Sequence, residues 1–288
     1  MQNHFKRERS EFWVNVYYND DYSYTISTNK KYVGIINHSF PIFCINSPSG
    51  WKTSESYPDV RYIWLPEGSY AEETIAQFLE WCKEAVDERL WLGLNKNIIE
   101  FYRNELDYCV ASDFNYNFGD GRTELGVAEY QLKYNSNQLS SREYDEYFSV
   151  LVKSIIDSSH FVPISNGIEW VVSPMPATLK GQTKFAWRLA NVISECLKLP
   201  FLNPVLESDK PQMKQLSIQE KIKAWSKIYE SNQEIIDSDI TGKSIIVVDD
   251  LYQSGISMWE YAKFLKRMGA EKVLGLVCVK SLRDSDNL

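Results

Sequence analysis

The stretch 243–257 constrains this chain more than any other part of the sequence. Its β-branched run, residues 245–248, predicts a strand that is buried on both faces, as the strands of a parallel sheet are. Two carboxylates, Asp249 and Asp250, end the apolar run, and a short polar loop containing a glycine follows. Ser257 then predicts the start of a helix whose apolar positions recur at helical spacing. The stretch therefore predicts a strand, a tight loop and a helix N-terminus, in that order.

This order of elements favours binding of a phosphate that is attached to a sugar. Free backbone N–H groups and the positive end of the helix dipole converge at the loop and attract an anion. The two carboxylates repel a phosphate, so we expect them to contact groups that donate hydrogen bonds or bring a cation. Ribose hydroxyls and Mg²⁺ are the candidates, with the metal held by Asp249 and Asp250 directly or through water. A plain strand and turn of an α/β domain is the alternative, and no Gly-Lys-Ser/Thr follows that would indicate a Walker loop.

The same residues resemble a known loop. Ile245-Ile-Val-Val-Asp-Asp-Leu-Tyr-Gln-Ser-Gly-Ile-Ser257 is similar to the loop that binds phosphoribosyl diphosphate (PRPP) in type I phosphoribosyltransferases. Many members have Thr or Asp where this chain has Gln253, and in some that Asp is proposed to take a proton from the incoming base, a role that Gln253 does not perform at neutral pH. The resemblance implies that Asp249 and Asp250 are catalytic and contact the ribose hydroxyls. It implies a 5-phosphate site on Tyr252, Gln253, Ser254, Gly255, Ile256 and Ser257.

A second segment resembles the ComF-like members of this family. A strand predicted over 168–173 ends in Pro174-Met-Pro176, and ComF-like members have Pro-x-Pro in the loop that contacts the diphosphate. Two prolines stiffen such a loop, which suits preformed backbone donors. Two alternatives remain open: the prolines simply end the strand, and Lys180 and Lys184 lie in the solvent-exposed start of a helix. The resemblance implies a diphosphate site that comprises Pro174, Met175, Pro176, Ala177, Lys180 and Lys184.

Residues 207–242 show no obvious strand. In the resembled family this interval holds a mobile hood that closes over PRPP. The Arg and Asn of ComF-like hoods are replaced here, which leaves Lys210, Lys214 and Lys221 as candidates for neutralising the departing diphosphate. An amphipathic helix capped by Ser217 and Glu220 is an equal alternative.

The alternation of strands and helices after residue 125 predicts an α/β fold with a doubly wound parallel sheet and a ligand at the carboxyl ends of its strands. The resemblance, which covers roughly 125–285, implies a sheet of type I phosphoribosyltransferase type. Residues 1–124 predict a separate α+β domain of unknown role, with short aromatic-rich strands that include 32–36 and 42–45. We further expect a helix over 96–107 and an extended segment over 129–134. The expected domains are therefore 1–124 and 125–288.

The composition of the chain limits its function. Hydrophobic residues make up 44% of 288 positions, and no apolar run is long enough to be a membrane span, so we expect a globular cytoplasmic protein without membrane contact. The formal net charge of −8 disfavours non-specific nucleic-acid binding by the chain as a whole. The five cysteines are widely spaced without a CxxC pair, which indicates reduced thiols and disfavours a zinc site.

Three functions remain open. The leading one is a divergent ComF-like phosphoribosyltransferase that binds PRPP, or a nucleotide containing ribose 5-phosphate, with Mg²⁺, and transfers the phosphoribosyl group to an unknown acceptor with release of diphosphate. The replaced hood residues and Gln253 favour a catalytically inactive PRPP- or nucleotide-binding regulatory module instead. The aromatic-rich residues 1–124 motivate a partner-dependent effector in DNA uptake or phage defence, with a protein partner bound by that domain. A homodimer is common among such enzymes.

Overall fold

The computed structural model describes residues 2–94, 98–119, 121–165, 168–176, 185–206, 216–231, 235–236 and 238–282. The chain forms two compact units. Unit 1 comprises Met1–Leu92 with His160–Pro163, and unit 2 comprises Gly93–Ser159 with Ile164–Leu288. This division lies upstream of the boundary expected after residue 124, because the strand Tyr108–Phe114 pairs with the last strand of unit 2. Within the described ranges, every helix is too short or too polar to cross a bilayer.

Unit 1 contains a five-stranded antiparallel sheet with the strand order β1-β2-β3-β5-β4. Its helices are α1 (Val33–Ser39), α2 (Ile42–Asn46) and α3 (Glu72–Cys82), which continues as a π-helical turn over Lys83–Asp87. The strands are β1 (Gln2–Lys6), β2 (Trp13–Tyr18), β3 (Tyr24–Asn29), β4 (Trp51–Thr53) and β5 (Val60–Leu65), and the two-residue strand β6 (Leu90–Trp91) follows the helices.

The core of unit 1 lies on one face of this sheet. Strand residues that point to that face, such as Val14, Ile26 and Ile63, are at most 1% exposed. The expected strands at 32–36 and 42–45 are wrong, because both segments are helical. The apolar residues Tyr32, Ile35 and Ile36 are all fully buried at a spacing of three to four, which one face of a helix provides and a strand does not.

Among its described residues, unit 2 contains four parallel strands, β7 (Tyr108–Phe114), β8 (Trp170–Pro174), β9 (Ser244–Tyr252) and β10 (Lys272–Lys280). They lie in the order β7-β10-β9-β8, with every neighbouring pair parallel. One further parallel bridge joins Val172 of β8 to Phe201. From β8 the chain therefore proceeds outward to Phe201 on one side, and β9 and β10 extend the sheet on the other side.

Helices cover both faces of this sheet. They are α4 (Glu124–Tyr134), α5 (Ser141–Ser159), α6 (Phe185–Leu197), α7 (Ile218–Ser231) and α8 (Ile256–Arg267). Ser173 of β8 bonds to Tyr261 of α8 at 2.8 Å, whereas Asp250 of β9 contacts Lys133 of α4 on the opposite face. Burial on both faces explains why the residues of β9 and β10 form continuous apolar runs.

Two expected elements of unit 2 are wrong. In place of a helix over 96–107, the described part of that segment has only a 3₁₀ turn over Ile99–Phe101. Its apolar residues are four apart, as in a helix, but tertiary bonds hold them: Tyr102 donates to Glu260 at 2.8 Å. In place of an extended 129–134, the chain forms α4, capped by Thr123, which accepts the N–H of Gly126 at 3.0 Å.

Candidate binding site at the carboxyl ends of the parallel strands

The loop between β9 and α8 requires a glycine. Gly255 has φ +83°, and a Cβ added there would lie 2.0 Å from the hydroxyl of Tyr252. The helix begins at Ile256 with Gly255 as its N-cap, so Ser257 lies in the first turn and not at the predicted cap position. Gly255, and not a serine, therefore forms the entry into the helix.

The start of α8 points backbone donors out of the helix. The N–H of Trp259 bonds to the carbonyl of Gly255 at 2.9 Å, so the N–H groups of residues 256–258 precede the first intrahelical bond. Before them in the loop, Gln253 is exposed and Ser254 is half-buried, whereas Ile256 is only 2% exposed. These donors and the helix dipole favour an anion at the loop.

Tyr252 holds the loop in place through hydrogen bonds. Its ring is almost fully buried, and its hydroxyl donates to the carbonyl of Gly93 at 3.3 Å and accepts the indole N–H of Trp259 at 3.2 Å. Its backbone carbonyl accepts the N–H of Ser281, which follows β10, at 2.9 Å. Tyr252 thus positions the loop through its side chain and its backbone, and its hydroxyl is directed toward the interior.

The two carboxylates after the apolar run have different surroundings. Side chains alternate along a strand, so Asp249 and Asp250 point to opposite faces of the sheet. Asp249 is half-buried, and its Oδ1 accepts the backbone N–H of Asp250 at 3.0 Å. Asp250 is 8% exposed and forms an ion pair with Lys133 of α4. Of the two, Asp249 has the more accessible carboxylate.

Asp250 belongs to a charge cluster in which two carboxylates are buried and the lysine is partly exposed. The Nζ of Lys133 also lies 3.4 Å from Oε1 of Glu129, one helical turn earlier in α4. Burial is the largest single effect on Asp250 and opposes its ionisation, but the charge and hydrogen bond of Lys133, together with hydrogen bonds at Asp249 and the backbone, outweigh it and lower the pKa of Asp250. Burial likewise opposes the charge of Lys133, yet Asp250 and then Glu129 raise the pKa of this lysine. For Glu129 burial dominates, and it raises the pKa despite Lys133. At neutral pH the Asp250–Lys133 pair is therefore ionised.

The loop after β8 lies next to the end of β9. Pro174 is paired in register with Val248, and the N–H of Met175 bonds to the carbonyl of Val248 at 2.9 Å. Pro174, Met175 and Pro176 are all buried. The chain leaves β8 in one direction across the sheet and leaves β9 in the other, and ligands of open α/β sheets bind in the crevice at such a point. The structure thus brings the Pro-Met-Pro segment and Asp249 together at one edge.

The other predicted site residues are placed only in part. Lys221 lies on α7 and is 7% exposed. The helix begins with the expected capping box, because Ser217 and Glu220 exchange hydrogen bonds of 2.7 to 3.4 Å. The predicted residues that lie outside the described part of the chain are Ala177, Lys180, Lys184, Lys210 and Lys214.

Comparisons with known proteins add little to this geometry. No protein-family model matches the sequence, and no curated protein matches it. The structure is similar to that of a purine phosphoribosyltransferase from Pyrococcus horikoshii Ot3, with a TM-score of 0.27 and 12% identity. The similarity covers 51% of this chain and 86% of that chain. A similarity this distant shows neither the family nor the function of the chain.

Two cations near the site were missed by sequence reasoning. Lys133 was missed because 129–134 was expected to be extended; as a helix, the same segment has the i, i+4 spacing of Glu129 and Lys133, which was the available signal. Lys280 ends β10, and its Nζ lies 5.9 Å from the centre of the Tyr252 ring. A charged residue directly after an apolar strand was the signal for it, as for Asp249.

The arrangement combines a helix N-terminus, whose free N–H groups favour an anion, with one half-buried carboxylate beside it. The first group suits a phosphate, and the second suits hydroxyl donors or a hard cation. Mg²⁺ keeps several of its waters and needs few protein carboxylates, so Asp249 alone fits it as a ligand, with Asp250 neutralised by Lys133. The edge is therefore chemically suited to a phosphorylated sugar.

Proposed function

We propose that unit 2 is a divergent, ComF-like type I phosphoribosyltransferase domain with a doubly wound sheet, which binds PRPP together with Mg²⁺. In this proposal the 5-phosphate lies on the backbone of residues 252–257 and the ribose hydroxyls lie at Asp249. The diphosphate lies at the loop that begins with Pro174. The phosphoribosyl group is then transferred to an acceptor, and diphosphate is released.

One observation carries this proposal: the Pro-Met-Pro segment and the Asp249 loop lie side by side at the carboxyl ends of neighbouring parallel strands. Met175 bonds to Val248, the residue directly before Asp249, so the two segments are held in fixed register. A molecule with a phosphate at one end, a ribose in the middle and a diphosphate at the other end matches an anion site, a carboxylate and a second loop in that order.

The proposed contribution of the protein to the reaction is positioning and charge stabilisation. Displacement of diphosphate from C1 of the ribose passes through an oxocarbenium-like state, which needs no protein nucleophile. Mg²⁺ would neutralise charge on the diphosphate. Asp249 would orient the ribose through its hydroxyls, and the Asp250–Lys133 pair would hold the end of β9 against α4.

Calorimetric titration of PRPP, with and without Mg²⁺, tests the proposal. We expect saturable, Mg²⁺-dependent binding by the wild type and its loss in Asp249→Asn. The matched control is Asp113→Asn. Asp113 also lies toward the carboxyl end of a parallel strand of the same sheet, is half-buried, and accepts the N–H of the next residue at 2.8 Å. Absence of binding by the folded wild type, or equal loss in both variants, contradicts the proposal.

A second function is favoured by the pairing of Asp250. Asp249 is half-buried, whereas Asp250 is buried and paired with Lys133. Gln253 replaces a residue that is acidic in some members of the resembled family. These features favour a module that binds PRPP or a nucleotide without transferring the phosphoribosyl group. PRPP binding without diphosphate release across a panel of nucleobases and amines supports the module, whereas diphosphate release supports the enzyme.

A further inference from the structure

The antiparallel sheet of unit 1 has one face that forms no core. The cross-strand pairs place thirteen strand residues on it, which we call the outer face. All are half-buried or exposed except Ser27, which is 9% exposed. The outer face consists of Gln2, His4, Lys6, Trp13, Asn15, Tyr17, Thr25, Ser27, Asn29, Lys52, Val60, Tyr62 and Trp64.

Aromatic side chains are concentrated on the outer face. Four of its thirteen residues are Trp or Tyr, whereas aromatic residues make up 14% of the chain. Tyr17 and Trp64 flank Thr25 in one cross-strand row, and Tyr62 is paired with Ser27 in the next. Each of these aromatic side chains is half-buried. The face therefore presents several rings at the spacing of neighbouring strands, about 5 Å from one strand to the next.

The polar side chains between the rings are amides, hydroxyls and an imidazole. His4 bonds to Asn15, and Asn15 donates to Ser27 at 3.4 Å. Gln2 donates to the hydroxyl of Tyr17 at 3.3 Å. Amides and hydroxyls both donate and accept hydrogen bonds, so they match the edges of unpaired nucleobases.

The charge of the outer face is opposite to that of the chain. The sequence has 39 Asp and Glu and a net charge of −8, yet none of the thirteen residues is acidic. Two lysines are present, Lys6 on edge strand β1 and Lys52 on edge strand β4, and both are exposed. Asp87 accepts the backbone N–H of Lys6 at 2.7 Å, which places it along the edge of β1. The charge of the face is therefore complementary to an anion, and its rings suit an anion that also stacks.

We propose that the outer face of unit 1 binds single-stranded nucleic acid. Unpaired bases stack on Tyr17, Tyr62 and Trp64, and phosphates lie toward Lys6 and Lys52 at the two edges of the sheet. A duplex hides the faces of its bases and so does not use these rings. A neutral sugar presents hydroxyl donors, for which carboxylates are strong acceptors, and the face has none. This site is independent of the function proposed for unit 2.

Fluorescence anisotropy with a labelled oligothymidine of about 15 nucleotides tests the proposal on the full chain. We expect binding at low salt that weakens as salt rises, and a decrease in affinity of about tenfold per removed ring in Tyr62→Thr/Trp64→Thr. Threonine keeps the strand propensity of both positions. In Lys6→Gln/Lys52→Gln, we expect the slope of log affinity against log salt to become shallower by roughly 0.7 for each phosphate that is no longer neutralised.

The controls lie in the same unit but off the outer face. Tyr57→Thr removes an aromatic ring that is 67% exposed, and Lys83→Gln removes an exposed lysine that pairs with Glu80. Both are expected to bind as the wild type does. The proposal is overturned if the wild type does not bind the oligomer at low salt, or if the control variants lose as much affinity as the face variants. It is also overturned if the protein binds duplex with equal affinity or prefers an uncharged oligosaccharide.

Photo-crosslinking makes the test independent of variants that fail to fold. A 5-bromodeoxyuridine oligomer is irradiated with the wild-type protein, and the crosslinked peptides are identified by mass spectrometry. Crosslinks in β2 and β5, which carry Tyr17, Tyr62 and Trp64, support the site. Crosslinks confined to other segments, or none, contradict it.

Discussion

The two sheets of this protein present chemistry in different ways. The parallel strands β9 and β10 are buried on both faces along most of their length, so accessible polar groups of that sheet lie toward the carboxyl ends of strands, as at Asp249 and Lys280. The antiparallel sheet of unit 1 buries one face only and carries rings, amides and lysines across the other. A sheet buried on both faces thus places its chemistry in loops, whereas a sheet buried on one face can bind along its strands.

The largest difference between the units is expected for a glycine in each. Gly255→Ala forces a Cβ against the hydroxyl of Tyr252 at positive φ, which we expect to cost about 2–5 kcal/mol of unfolding free energy. Gly50→Ala in unit 1 also has positive φ, but its Cβ would meet nothing within 4 Å, so about 1–2 kcal/mol is expected. Urea unfolding measures each loss, and hydrogen exchange resolved by peptide assigns it to its unit. Equal losses would contradict the tight loop.

The next test compares a partly buried ion pair with an exposed one. Lys133→Met leaves Asp250 buried without its cation, and we expect a loss of about 2 kcal/mol or more, since Lys133 is itself 32% exposed. Lys83→Met breaks an exposed pair with Glu80 in unit 1, and about 0.5 kcal/mol or less is expected. Urea denaturation of both variants at pH 7 measures the two losses.

Low pH should reduce the loss of stability caused by Lys133→Met. The pKa of Asp250 is lowered in the folded protein, so its contribution to stability is present above its unfolded-state pKa and is lost as pH falls through the folded pKa. The difference between wild type and Lys133→Met should therefore shrink at low pH. A difference that does not depend on pH would instead indicate that the packing of the lysine stem accounts for it.

A third test compares the two kinds of sheet face directly. Val247→Thr places a hydroxyl on a fully buried position of β9, and we expect a loss of about 1–3 kcal/mol. Thr25→Val on the outer face of unit 1 makes the reverse change at a half-buried position, and a change within about 0.5 kcal/mol is expected. Chemical denaturation measures both. A large cost at Thr25 would show that the outer face is more tightly packed than its exposure indicates.

The smallest effect is expected at Glu129. Its pKa is raised, so the protonated carboxyl stabilises the fold below the unfolded-state pKa, and this contribution is lost as pH rises through the folded pKa. Glu129→Gln should therefore gain stability relative to the wild type between acidic and neutral pH. Glu80→Gln, at an exposed position of unit 1, is the control and should show no such gain. Melting temperatures at several pH values test this, and a relative loss at neutral pH would contradict it.

The sequence by itself predicted the elements whose signal is local. The β-branched run of β9, the two acids and the apolar spacing of α8 are contiguous, and the capping box at Ser217 needs only four residues. Local signals gave a wrong prediction where the spacing of a strand and the spacing of a helix both fit the same residues. In 129–134, apolar residues alternate as in a strand, yet Tyr134 is 62% exposed in α4 and only Leu132 of the alternating set is buried.

Only the tertiary structure decided which polar groups meet. No local pattern places Lys133 beside Asp250, because 117 positions separate them and the contact depends on how α4 packs on β9. The same holds for the outer face, where strand pairing brings Tyr17, Thr25 and Trp64 into one row. Residue types and local periods determine which elements form. Strand order, register and helix packing determine which carboxylate is accessible and which rings share a surface, since these depend on contacts between residues far apart in the chain.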